Sequence, residues 1–431
     1  MKRYIFVSVL CCLLIVGMIG CSASSKTGQG EAQKPPATEK SDHSNRSSGE
    51  TEGKPQGNES EQNKPSDPAL AKLDKLSLEE KVGQLVIVGM EGTTIDNATS
   101  KMLDTYHVGG FVFFKDNMES VDQSVQLFNS LKKANQDNPI PLWMSIDEEG
   151  GRVTRLPEAF VKLPSSGQVG KSNDSGLAQE FGSQIGQRAA GFGLNMVYSP
   201  VLDVNSNPDN PVIGDRSFGS SADQVSKLGI AAMKGIQETG VVPVVKHFPG
   251  HGDTSVDSHF GLPVVNHSME RLNEVELAPF KKAIDEGTDV VMVSHLLMSK
   301  IDPDTPASYS KPVITGLLRE QLGFERVVIT DDMTMGAVET GQIGIGEAAV
   351  RSVLAGTNIV LVGHDYEREE EVIQSLIQAV KSKRISEEVL NERVLPILRL
   401  KEKYNITDQP VTGPDVEKLN DEAKQLIGQI S

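Results

Sequence analysis

Cysteine is nearly absent: the 431 residues contain Cys11, Cys12 and Cys21 and no others. The first two lie inside an apolar N-terminal stretch and would leave with it. That would leave Cys21 alone, which excludes a disulfide framework and a thiolate metal site. Positive charge is also in short supply. Lys and Arg number 42 against 59 Asp and Glu, a formal net charge of −17. Such a chain has no electrostatic footprint for nucleic acid. It would not hold an anionic polymer by bulk charge either, so any recognition of one must be local. The segment 22–68 has almost no apolar residues and is built from Ser, Gly, Lys, Glu, Gln, Asn and Pro. It cannot bury enough surface to offset its ordering entropy and reads as a disordered tether.

The one long apolar run is at the start. Lys2 and Arg3 precede Tyr4 to Ile19, and Gly20-Cys21-Ser22 follow. A positive segment ahead of a short apolar one is a secretory signal. Met18-Ile19-Gly20-Cys21 resembles a bacterial lipobox, whose Cys is lipidated and becomes the first mature residue. The alternative is an uncleaved anchor, since such a run is just long enough to span a bilayer. The expected organisation is a signal over 1–20, a lipidated Cys21 and linker over 21–68, a barrel over 69–405 and a helical tail over 406–431. The expected location is outside the cytoplasm, on the membrane through the N-terminal lipid.

Order begins near Pro68. Ser77-Leu78-Glu79-Glu80 is a capping box that opens a helix. Eight short apolar runs then alternate with amphipathic stretches. They are Leu85–Met90, Gly110–Phe114, Leu142–Asp147, Asn195–Val204, Val241–His247, Asp289–His295, Arg326–Asp331 and Asn358–Gly363. Helical patterns run between them, for example Met269 to Glu286 and Gln342 to Ala355. This alternation specifies an α/β fold, a (β/α)8 TIM-type barrel, followed by a C-terminal helix with apolar positions from Val416 to Ile430. An open doubly wound sheet would want a Gly-rich phosphate turn after its first strand. Gly89-Met90-Glu91-Gly92 is a poor match.

Charged residues gather at the C-terminal ends of these runs: Asp147, Asp203, Lys246, His247, His295 and Asp331. Barrel enzymes build their sites on that face. Lys246 to His259 holds Lys246, His247, Asp257 and His259 within fourteen residues. Asp257 and His259 are two apart, so in an extended loop they point the same way. A carboxylate there would fix the imidazole tautomer and raise its basicity. Asp331-Asp332 offers a carboxylate that serves as nucleophile, base or metal ligand, or simply caps the next helix. In Asp147 to Arg155, Asp147 can accept from sugar hydroxyls and Arg155 can donate, and Gly150-Gly151 lets the backbone turn close to a ligand. The plainer alternative is an Asp–Arg ion pair. Arg216, in the loop after the fourth run, either reaches the mouth or pairs with Asp215.

The stretches Asp147–Arg155, Asn210–Phe218, Lys246–His259 and Thr330–Met335 resemble the motifs of glycoside hydrolase family 3. Within it they resemble the bacterial β-N-acetylglucosaminidases, over roughly residues 70–400. The resemblance implies Asp331 as nucleophile, His259 as acid/base and Asp257 as its partner. It implies Asp147, Arg155, Arg216, Lys246 and His247 as residues that hold a terminal N-acetylglucosamine. It gives His251 a structural role, and it implies no cofactor and no metal. The expected partner is a β-GlcNAc-terminated oligosaccharide or muropeptide, with chitooligosaccharides as the alternative. Gly250, Gly252 and Gly261 would let the histidine loop close over a sugar. Three rivals remain open from sequence. One is a metal hydrolase built on His247, His251, Asp253, Asp257 and His259. The others are a non-catalytic sugar-binding lipoprotein and a phosphorolytic variant.

Overall fold

A computed structural model describes residues 67–255, 261–339 and 343–430. The leader with Cys21, most of the tether, and Asp257 and His259 lie outside the described residues. Among the described residues no helix is long and apolar enough to cross a membrane.

Eight parallel strands form the centre: β1 Val86–Val88, β2 Gly110–Phe113, β3 Trp143–Ile146, β4 Met196–Val197, β5 Val242–Phe248, β6 Val290–Val293, β7 Val327–Thr330 and β8 Val360–Val362. Each pairs with its neighbour in sequence, and β8 returns to β1 in the register Val86 to Val360. A single parallel bridge, Ile329 to Ile359, joins β7 to β8 and completes the ring. These strands are buried along their whole length. A core wrapped by helices on the outside has no polar face, so its strands read as continuous apolar runs. The chain therefore folds as the expected α/β barrel.

The structure redraws several boundaries. Within Asn195–Val204 the regular ladder covers Met196–Val197; Pro200 has no N–H to donate, and past it a single parallel bridge joins Val201 to Lys246. The pattern from Met269 to Glu286 breaks into two helices, Met269–Glu274 and Ala278–Asp285, with Pro279 in the first turn of the second. The tail is not helical from 406. Pro410 and Pro414 disfavour a helix there, and the terminal helix spans Val416–Ile430, the stretch that the apolar spacing marked. The segment before it is tied to the barrel. Asp408 accepts from Leu142 N and Asn135 Nδ2, and Val411 exchanges bonds with Asn129. The capping box at Ser77 and Glu80 forms in both directions.

Candidate active site

A cavity of about 570 Å³ opens at the C-terminal ends of the strands. Asp147, Arg155, Arg216, Lys246, His247 and Asp331 all line it. Six of the eight residues to which the family resemblance gives a catalytic or sugar-holding role thus share one chamber, and His251, given a structural role, lines it too. The other two, Asp257 and His259, fall outside the described residues.

Strand β5 supplies two adjacent residues to the chamber. In a regular strand, neighbours point to opposite faces. Here the register against β6 slips between Val245 and Phe248, and both Lys246 and His247 reach the cavity. Lys246 Nζ lies 2.5 Å from Asp147 Oδ1 and 2.6 Å from Glu149 Oε1. Arg216 closes on the same Glu149 in a two-pronged contact, Nε to Oε2 and Nη2 to Oε1, each 2.8 Å. Arg216 does not pair with Asp215, which sits beside Arg152 instead. Arg155 Nη2 is 3.9 Å from Asp147 Oδ2, a loose ion pair that leaves Asp147 only partly engaged.

Glu149 is the hub that the sequence reading passed over. It stands in the Asp-Glu-Glu-Gly-Gly stretch but carries no motif of its own. Burial pushes its carboxyl up, yet the charges of Arg216 and Lys246 and their hydrogen bonds hold it well below the usual range. Burial likewise pulls Lys246 down, and Asp147 and Glu149 more than reverse that. The result is a network of fixed, opposed charges, costly to bury unless each member is paired. Gly150 and Gly151 turn the chain here with φ of +74° and +54°. A side chain on Gly150 would run into Pro164 O.

Asp203 is a second residue the sequence marked only by position. It is fully buried behind the cavity wall. Its Oδ2 is 2.6 Å from His247 Nδ1, and its Oδ1 accepts from His251 N at 2.6 Å. A carboxylate at Nδ1 sets the ring's orientation and leaves Nε2 toward the chamber, 3.4 Å from Arg216 Nη2. His251 itself is buried, with Nδ1 on Thr254 Oγ1. Asp253 turns away to His267. Among the described residues no group of three or more metal-ligating side chains forms.

Asp331 follows β7 directly and is half-buried at the chamber wall. Burial pushes its carboxyl up, but His247, His295, the Asp332 N–H and Lys246 together hold it below its ordinary value. The Asp332 N–H donates to Asp331 Oδ1 at 2.9 Å. Asp332 in turn accepts from Thr334 N, Thr334 Oγ1 and Gly363 N, which fixes the turn. His295 does not line the cavity. It lies beneath, between Ser308 Oγ and Asp332 O, and braces that turn.

The glycines of the histidine loop have a packing reason. A side chain on Gly252 would collide with Val204 O, and one on Gly250 with Glu276. Close approach therefore accounts for these two, apart from any closing motion.

The model for the N-terminal domain of glycosyl hydrolase family 3 matches residues 77–400. A protein named beta-hexosaminidase A from Pseudoalteromonas piscicida is 33% identical over 72% of this chain, which spans 56% of that relative's length. A beta-hexosaminidase from Hydrogenovibrio crunogenus is 34% identical over 68% of this chain and 82% of its own. Among solved structures, the family 3 beta-N-acetylglucosaminidase from Paenibacillus sp. str. FPU-7 is 40% identical with a TM-score of 0.77. That match covers 81% of this chain and 68% of the other.

Proposed function

The chain belongs to glycosyl hydrolase family 3, and we propose that it is a retaining exo-β-N-acetylglucosaminidase that releases non-reducing terminal GlcNAc from muropeptides. The observation that carries this reading is the half-buried Asp331 carboxylate, held below its ordinary pKa and facing the Lys246–Asp147–Glu149–Arg216–His247 network in one chamber. A nucleophile must be ionised to attack, and a sugar ring needs fixed donors and acceptors around its hydroxyls.

In the first step the Asp331 carboxylate bonds to the anomeric carbon as the bond to the leaving oxygen breaks. The His259 imidazolium gives that oxygen its proton. In the second step neutral His259 takes a proton from water, which displaces the carboxylate with overall retention. His259 and its partner Asp257 enter this reading from the sequence alone. Asp147 and Lys246 would hold hydroxyls, with His247 and Arg155 beside them, and Arg216 would face the acetamido side.

The test is release of nitrophenol from the β-N-acetylglucosaminide against the β-glucoside, with wild type and Asp331→Ala. Fast release from the first alone, lost in the variant, supports the reading. Silence from a folded protein on both points to a sugar-binding protein without catalysis. His259→Ala would slow poor leaving groups far more than activated aryl ones, and equal losses would remove its acid role. Added phosphate would yield a sugar 1-phosphate if phosphorolysis were the reaction.

The muropeptide preference follows from the location read at the N-terminus, where lipidated Cys21 would tether the enzyme to the outer face of the membrane. Cys21→Ser should move the protein from the detergent phase to the aqueous phase. A variant that stays in the detergent phase would replace the lipid by an uncleaved anchor, and a wild type found in the aqueous phase would remove the membrane location and, with it, the argument for muropeptides over chitooligosaccharides.

A further inference from the structure

At the rim of the chamber, two rings from opposite sides of β1 meet. Phe114 comes directly after β2 and His364 lies two residues past β8, and both line the cavity. Their centroids are 4.2 Å apart and their planes 29° from parallel. Gly363 makes the approach possible. A side chain there would come within 2.9 Å of Phe114 Cζ and 2.6 Å of Asp332 Oδ2. His364 Nε2 is 4.0 Å from Asp332 Oδ2, too far for a hydrogen bond, so stacking rather than polar contact holds the ring. The His364 side chain is 60% exposed, whereas Lys246 and Glu149 in the chamber are 3% and 2% exposed.

From this geometry we infer that Phe114 and His364 form a stacking platform for the sugar on the leaving side of the scissile bond. The inference rests on the exo-glycosidase reading above. The paired charges sit at the closed end, where a terminal sugar is held by its hydroxyls. The rest of the substrate must leave through the mouth, past the exposed ring. In a β-linked pyranose the axial C–H bonds gather on the ring faces, which makes those faces apolar and suited to an aromatic surface. His364 is then a specificity residue for the sugar to which the terminal one is linked, and it plays no part in proton transfer.

Two substrates separate the roles. N-acetyl-β-glucosaminyl fluoride has no second ring, and N,N′-diacetylchitobiose has one. For His364→Ala, the ratio of kcat/KM on the disaccharide to that on the fluoride should fall about tenfold. His364→Phe keeps a stacking face without a titrating group and should restore most of that ratio, with circular dichroism showing both variants folded. An unchanged ratio in His364→Ala overturns the platform. So does a His364→Phe variant as impaired as His364→Ala, which would mean the imidazole acts as a polar group. A wild type inert on both substrates would instead remove the glycosidase reading, and the platform with it.

Discussion

Two buried lysines stand at opposite ends of the barrel and are solved in opposite ways. Lys246, at the C-terminal end, lies between the carboxylates of Asp147 and Glu149, and these hold its pKa above the ordinary 10.5. Lys401, on the helix Glu387–Lys403, reaches the N-terminal end, where its Nζ donates to Gln84 Oε1, Gly109 O and Pro141 O. It also lies 5.2 Å from the centre of the Trp143 ring. Every one of those partners is neutral. Burial therefore wins, and its pKa drops to about 7. Charge is kept where ligands come and go, and hydrogen bonding alone suffices where the only task is to close the floor. The contrast agrees with barrel enzymes generally, in which one face carries chemistry and the other stability.

The strongest way to break this contrast is Lys246→Met. It leaves Glu149 with Arg216 alone and frees Asp147 into the chamber. Removing one partner from a buried charge network costs about 3–5 kcal/mol. Turnover of the aryl N-acetylglucosaminide should fall by at least about a hundredfold, with lower thermal stability. Full activity would mean that the network is structural only.

Lys401→Met tests the other end. Activity per folded molecule should match wild type, while chemical denaturation near pH 6 should show a loss of about 1–3 kcal/mol from three acceptors left unmet. The pH dependence sharpens this. Between about 7 and 10.5 the unfolded chain keeps a proton on Lys401 that the native state has lost. Wild-type stability should therefore rise with pH through that window relative to Lys401→Met, by up to about 1.4 kcal/mol per pH unit. A parallel pair of curves would show that Lys401 stays charged in the fold.

Glu148 carries the opposite sign. Burial raises its carboxyl to about 7, against opposing pulls from Thr154, the Arg155 N–H and the Arg188 and Arg155 charges. The native state holds the extra proton from about 4.5 to 7, so wild type should lose stability across that window relative to Glu148→Gln. The smallest effect is at the capping box. Ser77→Ala should cost about 1 kcal/mol in denaturation and leave turnover alone.

Periodicity carried the barrel because eight apolar runs at helical intervals leave few other ways to bury them. Chemistry-bearing residues were legible where strands end, as at Asp147, Lys246, His247 and Asp331. Glu149 was not, because nothing in the Asp-Glu-Glu-Gly-Gly stretch says which of three acids turns inward to meet Arg216 from a distant loop. Pro279 was in plain view and marked the helix break that pattern alone missed, whereas the apolar spacing placed the terminal helix where it forms, from Val416 to Ile430.

By itself the sequence determined the strand order, the α/β class and the residue types available at the mouth, since these follow from local hydrophobic spacing and chain direction. Only the tertiary structure decided which charges pair: Lys246 with two acids, His247 with Asp203, Lys401 with neutral carbonyls. It also decided that Phe114 and His364 meet across β1. Such pairings join residues tens to hundreds of positions apart, and their energies depend on burial that no local stretch of chain contains.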